Sequence, residues 1–342
     1  MSAANGRDLR LLPKAHLHLH FTGSMRLATV LDLAERHGIR LPGSLRTQHM
    51  PDLSPDERGW FRFQRLYDAA RSVVRGESDM RRIIAEAAED DRAEGSRWLE
   101  IQIDPTSYAP FVGGITPALE IVLDEARRAS DEAFGVGVIV AASRTRHPLE
   151  ARTLARLAAR NAGTVPGTVF GFGLSNDERR GVTADFGPAF RIAREAGLGL
   201  MPHGGELLGP HHVREVIEAL QPDRLGHGVR IADDERLLSE VARSGIGLEI
   251  CPGSNISLGV FAEAEQVPLR RLLDAGTRIA LGADDPLLFG SRLVDQYSMA
   301  RSASGLSDQE LARLAEMSID LSRAPDRLKS TARADIAAWL AT

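Results

Sequence analysis

Lys14-Ala-His-Leu-His-Leu-His20 is the chain's first apolar run, and reading it as a strand decides the architecture. In an extended chain every second side chain shares a face, so His16, His18 and His20 point one way. Working outward from the run centred on Leu17–Phe21, further short β-rich stretches follow at Trp98–Ile103, Val136–Ala142, Val169–Leu174, Leu198–His203, Arg224–His227, Ile246–Cys251 and Arg278–Asp284. Between most of them, apolar residues recur at three- and four-residue spacing, as in Leu27, Val30, Leu31 and Ala34 or Leu154, Leu157 and Ala158. Strands alternating with helices imply parallel pairing through right-handed crossovers. Eight such units close into an α/β fold, a single (β/α)8 TIM-type barrel spanning residues 1–342. The stretch from His37 to Gly95 is too long for one crossover and predicts extra helices at Trp60–Val74 and Ser78–Ala93; more helices are expected after Pro286, ending near Trp339.

Composition narrows the function classes. The chain has 342 residues, 43% hydrophobic and 26% charged, an ordinary globular balance. Its formal charge of −5 provides no basic field for nucleic acid or an anionic membrane, so neither is an expected partner. Cys251 is the one cysteine, which excludes an internal disulfide and cysteine-based zinc ribbons. Residues 1–10 contain no apolar run of the signal-peptide kind, and no stretch reaches the roughly 18–20 apolar residues of a membrane helix. A cytoplasmic protein is expected; oligomeric state is left open.

Polar residues fall where barrel enzymes keep their sites, at the C-terminal ends of strands. His18 and His20 can both face one metal ion, although His-x-His by itself fits a surface stripe equally well; His16 lies deeper and is left out of the ligand set. Strand five ends in His203-Gly-Gly-Glu206, where Glu206 suits either a helix cap or a proton-transfer group. Strand six ends in Gly226-His227-Gly, and strand eight runs into Asp284-Asp285-Pro286. Asp285 fits an N-cap before a proline-started helix, whereas Asp284 follows a buried strand and needs a cation or donors to be tolerated there. Three imidazoles and one carboxylate (His18, His20, His203, Asp284) with an open position describe a catalytic zinc-type site rather than a closed structural one. A two-metal site bridged by a modified lysine is disfavoured, because Lys14 precedes strand one and Lys329 lies in the C-terminal helices.

These motifs, Pro13-Lys-Ala-His-Leu-His18-Leu-His20-Phe-Thr-Gly-Ser, His203-Gly-Gly-Glu206, Gly226-His227-Gly and Asp284-Asp285-Pro, resemble the adenosine deaminase family in content and order from about Leu11 to Gly290. Glu249-Ile-Cys-Pro-Gly-Ser-Asn255 is similar to its strand-seven signature. The resemblance implies zinc-dependent deamination of adenosine and 2′-deoxyadenosine to inosine and deoxyinosine. It implies one Zn2+ per chain on His18, His20, His203 and Asp284. Glu206 matches the proton donor and shuttle, and His227 the residue orienting the attacking hydroxide. His20, Thr22, Asn176 and Asp285 match the substrate contacts. The helix carrying Trp60, Phe63, Leu66 and Tyr67 resembles the family's hydrophobic gate.

Two positions depart from the family. Thr22 stands where an aspartate reads the ribose 5′-hydroxyl, so a neutral hydroxyl replaces a charge-assisted bond of about 1.5–3 kcal/mol. Asn176 stands where a glycine offers its N–H to purine N3; asparagine tolerates unusual backbone angles. Thr22 keeps free adenine or a 5′-modified adenosine open as alternative substrates, with Arg26 a candidate for an acidic 5′ group or simply a solvated helix-start arginine. From a different class, a catalytically silent metal-binding barrel would require loss of Glu206 or a ligand, and all are present.

Overall fold

A computed structural model describes residues 6–46, 53–54 and 56–341. Eight parallel strands lie in sequence order around one sheet: β1 (Lys14–His20), β2 (Ser96–Ile103), β3 (Gly135–Ser143), β4 (Val169–Ser175), β5 (Gly199–Gly204), β6 (Arg224–His227), β7 (Gly247–Ile250) and β8 (Arg278–Leu281). Interleaved helices cover the outside, as a (β/α)8 barrel requires. Their inward faces follow the apolar spacing: helix Pro148–Arg160 buries Ala151, Leu154, Ala155 and Ala158.

The barrel closes at the site. β1 and β8 meet through a parallel bridge between Leu19 and Asp284, in which His20 N donates to Asp284 O at 3.0 Å and Asp284 N donates to His18 O at 3.0 Å. The eighth strand was expected to run to Asp284, but its regular pairing stops at Leu281, because Asp284 turns into the left-handed region with φ of 62°. β1 occupies the expected stretch from Lys14, which pairs with Ser96, to His20.

After β1 come helices Leu27–Arg36, Gly43–Arg46, Glu57–Arg71 and Glu77–Ala93. The third begins at Glu57 rather than Trp60 because the Asp56 side chain accepts the Gly59 N–H at 2.8 Å and so sets the N-cap. Beyond β8 lie helices Pro286–Phe289, Leu293–Ser302, Asp308–Leu321 and Asp326–Ala341. Asp308–Leu321 plugs the N-terminal end of the barrel, where Ser318 Oγ accepts from Ala15 N at 2.9 Å. No helix among the described residues is long and apolar enough to cross a membrane.

Candidate active site

His18, His20, His203 and Asp284 converge at the C-terminal mouth of the barrel. Asp284 Oδ1 lies 3.1 Å from His20 Nε2 and 3.6 Å from His18 Nε2, and His20 Nε2 is 3.3 Å from His203 Nε2. His227 joins the group, its ring 4.8 Å from that of His18 and 5.1 Å from that of His203. Such crowding needs Gly226: a Cβ there would stand 2.9 Å from His18 Cε1 and 3.0 Å from His203 Nδ1.

The donor set fits a metal cation. His18 Nε2 is fully buried with no hydrogen-bond partner, and it belongs to groups of ligand atoms that all lie within 4.8 Å of one another. Burial opposes a charge on His18, but bonds to Asp284 and Glu249 outweigh it and push its pKa up to about 10. The same bonds, from His18 and His20, hold buried Asp284 well below the usual carboxylate range. Burial and the neighbouring charge of His18 drive His203 far down, keeping its imidazole neutral as a ligand must be. Three nitrogens and one oxygen form an open-site set of the catalytic type.

A second layer orients the first. Glu249 on β7 takes the His18 Nδ1–H at 2.7 Å through Oε2 and the Arg224 Nε–H at 2.6 Å through Oε1. Arg224 also bonds Glu100 and donates to Leu321 O at 2.7 Å. His16 points into the layer below: its Nδ1 donates to Asp91 at 2.9 Å and its Nε2 accepts the Ala283 N–H at 3.0 Å, next to Asp284.

Proton-transfer candidates sit on the rim. Glu206 Oε1 lies 3.6 Å from His227 Nε2, and burial together with the Asp284 charge raises the Glu206 carboxyl well above its ordinary value. Burial pushes His227 down to about 3, so its ring is neutral. Burial and the Asp284 charge raise the Asp285 carboxyl well above its ordinary value, and its Oδ1 is buried without a hydrogen-bond partner. Gly23 permits this: a Cβ there would overlap Asp285, 1.8 Å from Oδ1. Among the described residues four non-glycines have positive φ, and three of them, Asn176 (80°), His227 (65°) and Asp284 (62°), line this one site. Strain of about 1–3 kcal/mol each persists where the surroundings over-determine the backbone, as they do at functional sites.

A cleft of about 370 Å³ opens over these groups, within the range of small-molecule sites. Trp60, Phe63 and Tyr67 of helix Glu57–Arg71 roof it, with Phe63 stacked on Phe289 at 5.4 Å. Its outer wall is polar: Asp104, Ser143, Thr145, Arg146, Ser175 and Asp177. Thr22 is buried, and its Oγ1 is 2.6 Å from the Tyr108 hydroxyl. Arg26 does not reach the cleft; it is bound to Asp90 and Glu89, both at 2.6 Å, and belongs to the helix start.

Several residues that shape the site were not assigned from sequence: Glu249, Arg224, Glu100, Glu178, Arg144, Asp104 and Tyr108. The available signal was charge within otherwise apolar strands, as at Glu100, Arg224 and Glu249, which is costly unless the groups meet one another.

This chain is similar over nearly its whole length to known proteins. The adenosine deaminase family model matches residues 13–339. A Streptomyces virginiae protein named "Putative adenosine/adenine deaminase" is 57% identical over 338 residues, covering 98% of this chain and 99% of its own. The adenine deaminase structure from Arthrobacter aurescens gives a TM-score of 0.87 at 27% identity, covering 96% of this chain and 99% of that one. An amidohydrolase from Burkholderia ambifaria, with bound Zn, gives 0.86 at 25% identity, covering 99% of this chain and 93% of that one.

Proposed function

Since this chain belongs to the adenosine deaminase family, whose members are hydrolytic deaminases acting on purine C–N bonds, we propose that it removes the 6-amino group of adenosine-type nucleosides, giving the inosine form and ammonia, without reading the ribose 5′-hydroxyl. One observation carries the substrate reading: the Thr22 hydroxyl, at the ribose-reading position, is buried against Tyr108 Oη at 2.6 Å. Thr22 brings no charge to the sugar, while the cleft runs on past His20 to Ser143, Thr145 and Ser175 with room for a nucleoside.

His18, His20, His203 and Asp284 would hold the ion, zinc by analogy with the Burkholderia structure. When bound, zinc supplies Lewis acidity that makes water a nucleophile near neutral pH. The chain's own groups handle the protons. Addition at C6 puts electrons on N1, and the protonated Glu206 carboxyl gives N1 its proton. The resulting carboxylate then takes the proton of the newly added C6 hydroxyl and passes it to the amino group, which leaves as ammonia while C6 becomes a carbonyl. His227, neutral and 3.6 Å from Glu206, orients the attacking oxygen through a hydrogen bond rather than through charge. Burial and the Asp284 charge favour the protonated form of Asp285, the form in which it can donate to a ring nitrogen, which can only accept. The roof of Trp60, Phe63 and Tyr67 keeps bulk water away and strengthens each of these interactions.

Free adenine is the second reading, favoured by the name of the Arthrobacter structure. Side-by-side kcat/KM values for adenosine, 5′-deoxyadenosine and adenine test both. The expected result is 5′-deoxyadenosine within about tenfold of adenosine, roughly 1.4 kcal/mol. A thousandfold preference for adenosine would mean that another residue reads the 5′-hydroxyl, and adenine as the best substrate would replace the nucleoside reading.

A further inference from the structure

Glu206 rides on a turn with little stiffness of its own. β5 ends at Gly204, Gly205 follows with φ of 81°, and the next helix begins only at Pro210. Two glycines before the acid leave its position to be set from outside. Two buried charges take that role. Arg144 donates from Nη2 to the His203 carbonyl oxygen at 2.7 Å and from Nη1 to Thr183 Oγ1 at 3.1 Å. At the other end of the turn the buried Glu178 carboxylate accepts three successive backbone N–H groups: Oε1 from Glu206 at 3.1 Å, and Oε2 from Leu207 and Leu208 at 2.8 Å each. His212 Nδ1 stands 3.9 Å from the same oxygen.

Glu178 lies two residues beyond Asn176, on the segment that follows β4 and lines the cleft through Ser175, Asn176 and Asp177. The segment that lines the cleft is thus tied directly to the turn that carries Glu206. We propose that Glu178 is the positioning residue for Glu206, a role that rests on the reading of Glu206 as proton donor. Charge-assisted bonds to three consecutive amides are strong and geometrically restrictive, and their effect falls on the one turn that carries the acid.

Glu178→Gln is nearly isosteric and informative. Its single carbonyl oxygen can still serve Leu207 and Leu208, while its amide NH2 faces the Glu206 N–H and cannot accept from it. The experiment compares wild type, E178Q, E206Q and the double variant, each loaded with zinc, by kcat and KM for adenosine and by metal content. Expected are a roughly ten- to hundredfold fall in kcat for E178Q, KM within about threefold of wild type, unchanged metal content, and no further loss when E178Q is added to E206Q. A slow E206Q with losses that multiply in the double variant overturns the positioning role alone. An E206Q with nearly wild-type kcat overturns Glu206 as donor, and the proposal with it. Glu178→Asp keeps the charge but withdraws it by one methylene, and it serves if E178Q folds poorly. A wild-type kcat in E178D overturns the proposal, and a reduced kcat at unchanged KM supports it.

Discussion

Replacing Glu249 by glutamine tests how far metal affinity depends on a residue that never touches the ion. Glu249 Oε2 takes the His18 Nδ1–H at 2.7 Å, which orients the ring and leaves Nε2, beside Asp284, as the nitrogen available to an ion. Burial would raise this carboxyl, but Arg224 and His18 hold it below its ordinary value, so it acts as a full charge. Glutamine can satisfy only one neighbour: with its oxygen on His18, its NH2 abuts the Arg224 guanidinium, donor against donor. Loss of an orienting carboxylate behind a metal-bound histidine typically weakens metal affinity about 10–100-fold, or ~1.4–2.7 kcal/mol. The assay strips metal with a chelator, confirms the fold by circular dichroism, and measures zinc affinity by competition with a chromophoric chelator. Zinc affinity within twofold of wild type in a folded E249Q would refute the reasoning. The variant should also unfold more readily, since a buried ion pair has lost its anion while Arg224 keeps only Glu100.

Two further predictions concern protons and stability. With His18 pushed up to about 10 from its ordinary 6.5, the metal-free protein carries a proton where the ion binds. Zinc uptake near neutral pH should therefore release about one proton per chain, read by calorimetry in buffers of different ionisation enthalpy; no release would contradict it. The sign for stability follows: a raised folded-state pKa stabilises fully below 6.5, and metal-free stability should fall as pH climbs through about 10, as followed by urea midpoints. Separately, Lys14 Nζ donates to the carbonyls of Leu9 (2.9 Å), Leu12 (2.6 Å) and Glu94 (2.6 Å). Lys14→Met strands those acceptors and should lower unfolding free energy by about 3 kcal/mol or more in urea titrations; a loss under about 1 kcal/mol would show that the carbonyls find other donors.

The barrel was legible because its signal is local: alternation within each strand and helical spacing between them need no knowledge of partners. All eight strands overlap their expected positions, and only some ends shifted, as where β8 stops at Leu281 ahead of the left-handed turn at Asp284. The cluster at the mouth was legible for a related reason: the barrel rule places strand ends together, so His18, His20, His203, His227 and Asp284 could be gathered without any distance. Pairings that depend on which side chain meets which across the interior were not. Glu249 finds His18 231 positions away and Arg224 finds Glu100 124 positions away, and nothing in a single sequence links such residues. Thr22 illustrates the same limit: its substitution was visible, whereas its capture by Tyr108 depends on the turn after β2.

Charge balance inside the barrel argues for the valence of the ion. Glu100 and Glu249 share one buried cation, Arg224, while buried Asp284 has only imidazoles beside it. Burial raises the Glu206 and Asp285 carboxyls and lowers the His203 and His227 imidazoles, which pushes each toward its uncharged form. Two negative charges then remain in a low-dielectric interior, where an uncompensated charge is far more costly than in water. Protonating His18 cancels one of them, so the metal-free protein is still short of balance. A divalent cation displacing that proton cancels both. A monovalent ion in its place would leave one charge unpaired. The barrel's buried acids therefore favour a multiply charged guest over a monovalent one before any ligand geometry is considered. The depressed imidazoles of His203 and His227 arise from the same burial that makes Glu206 hold its proton. One dry interior thus prepares both the neutral ligands and the acid that the proposed deamination requires.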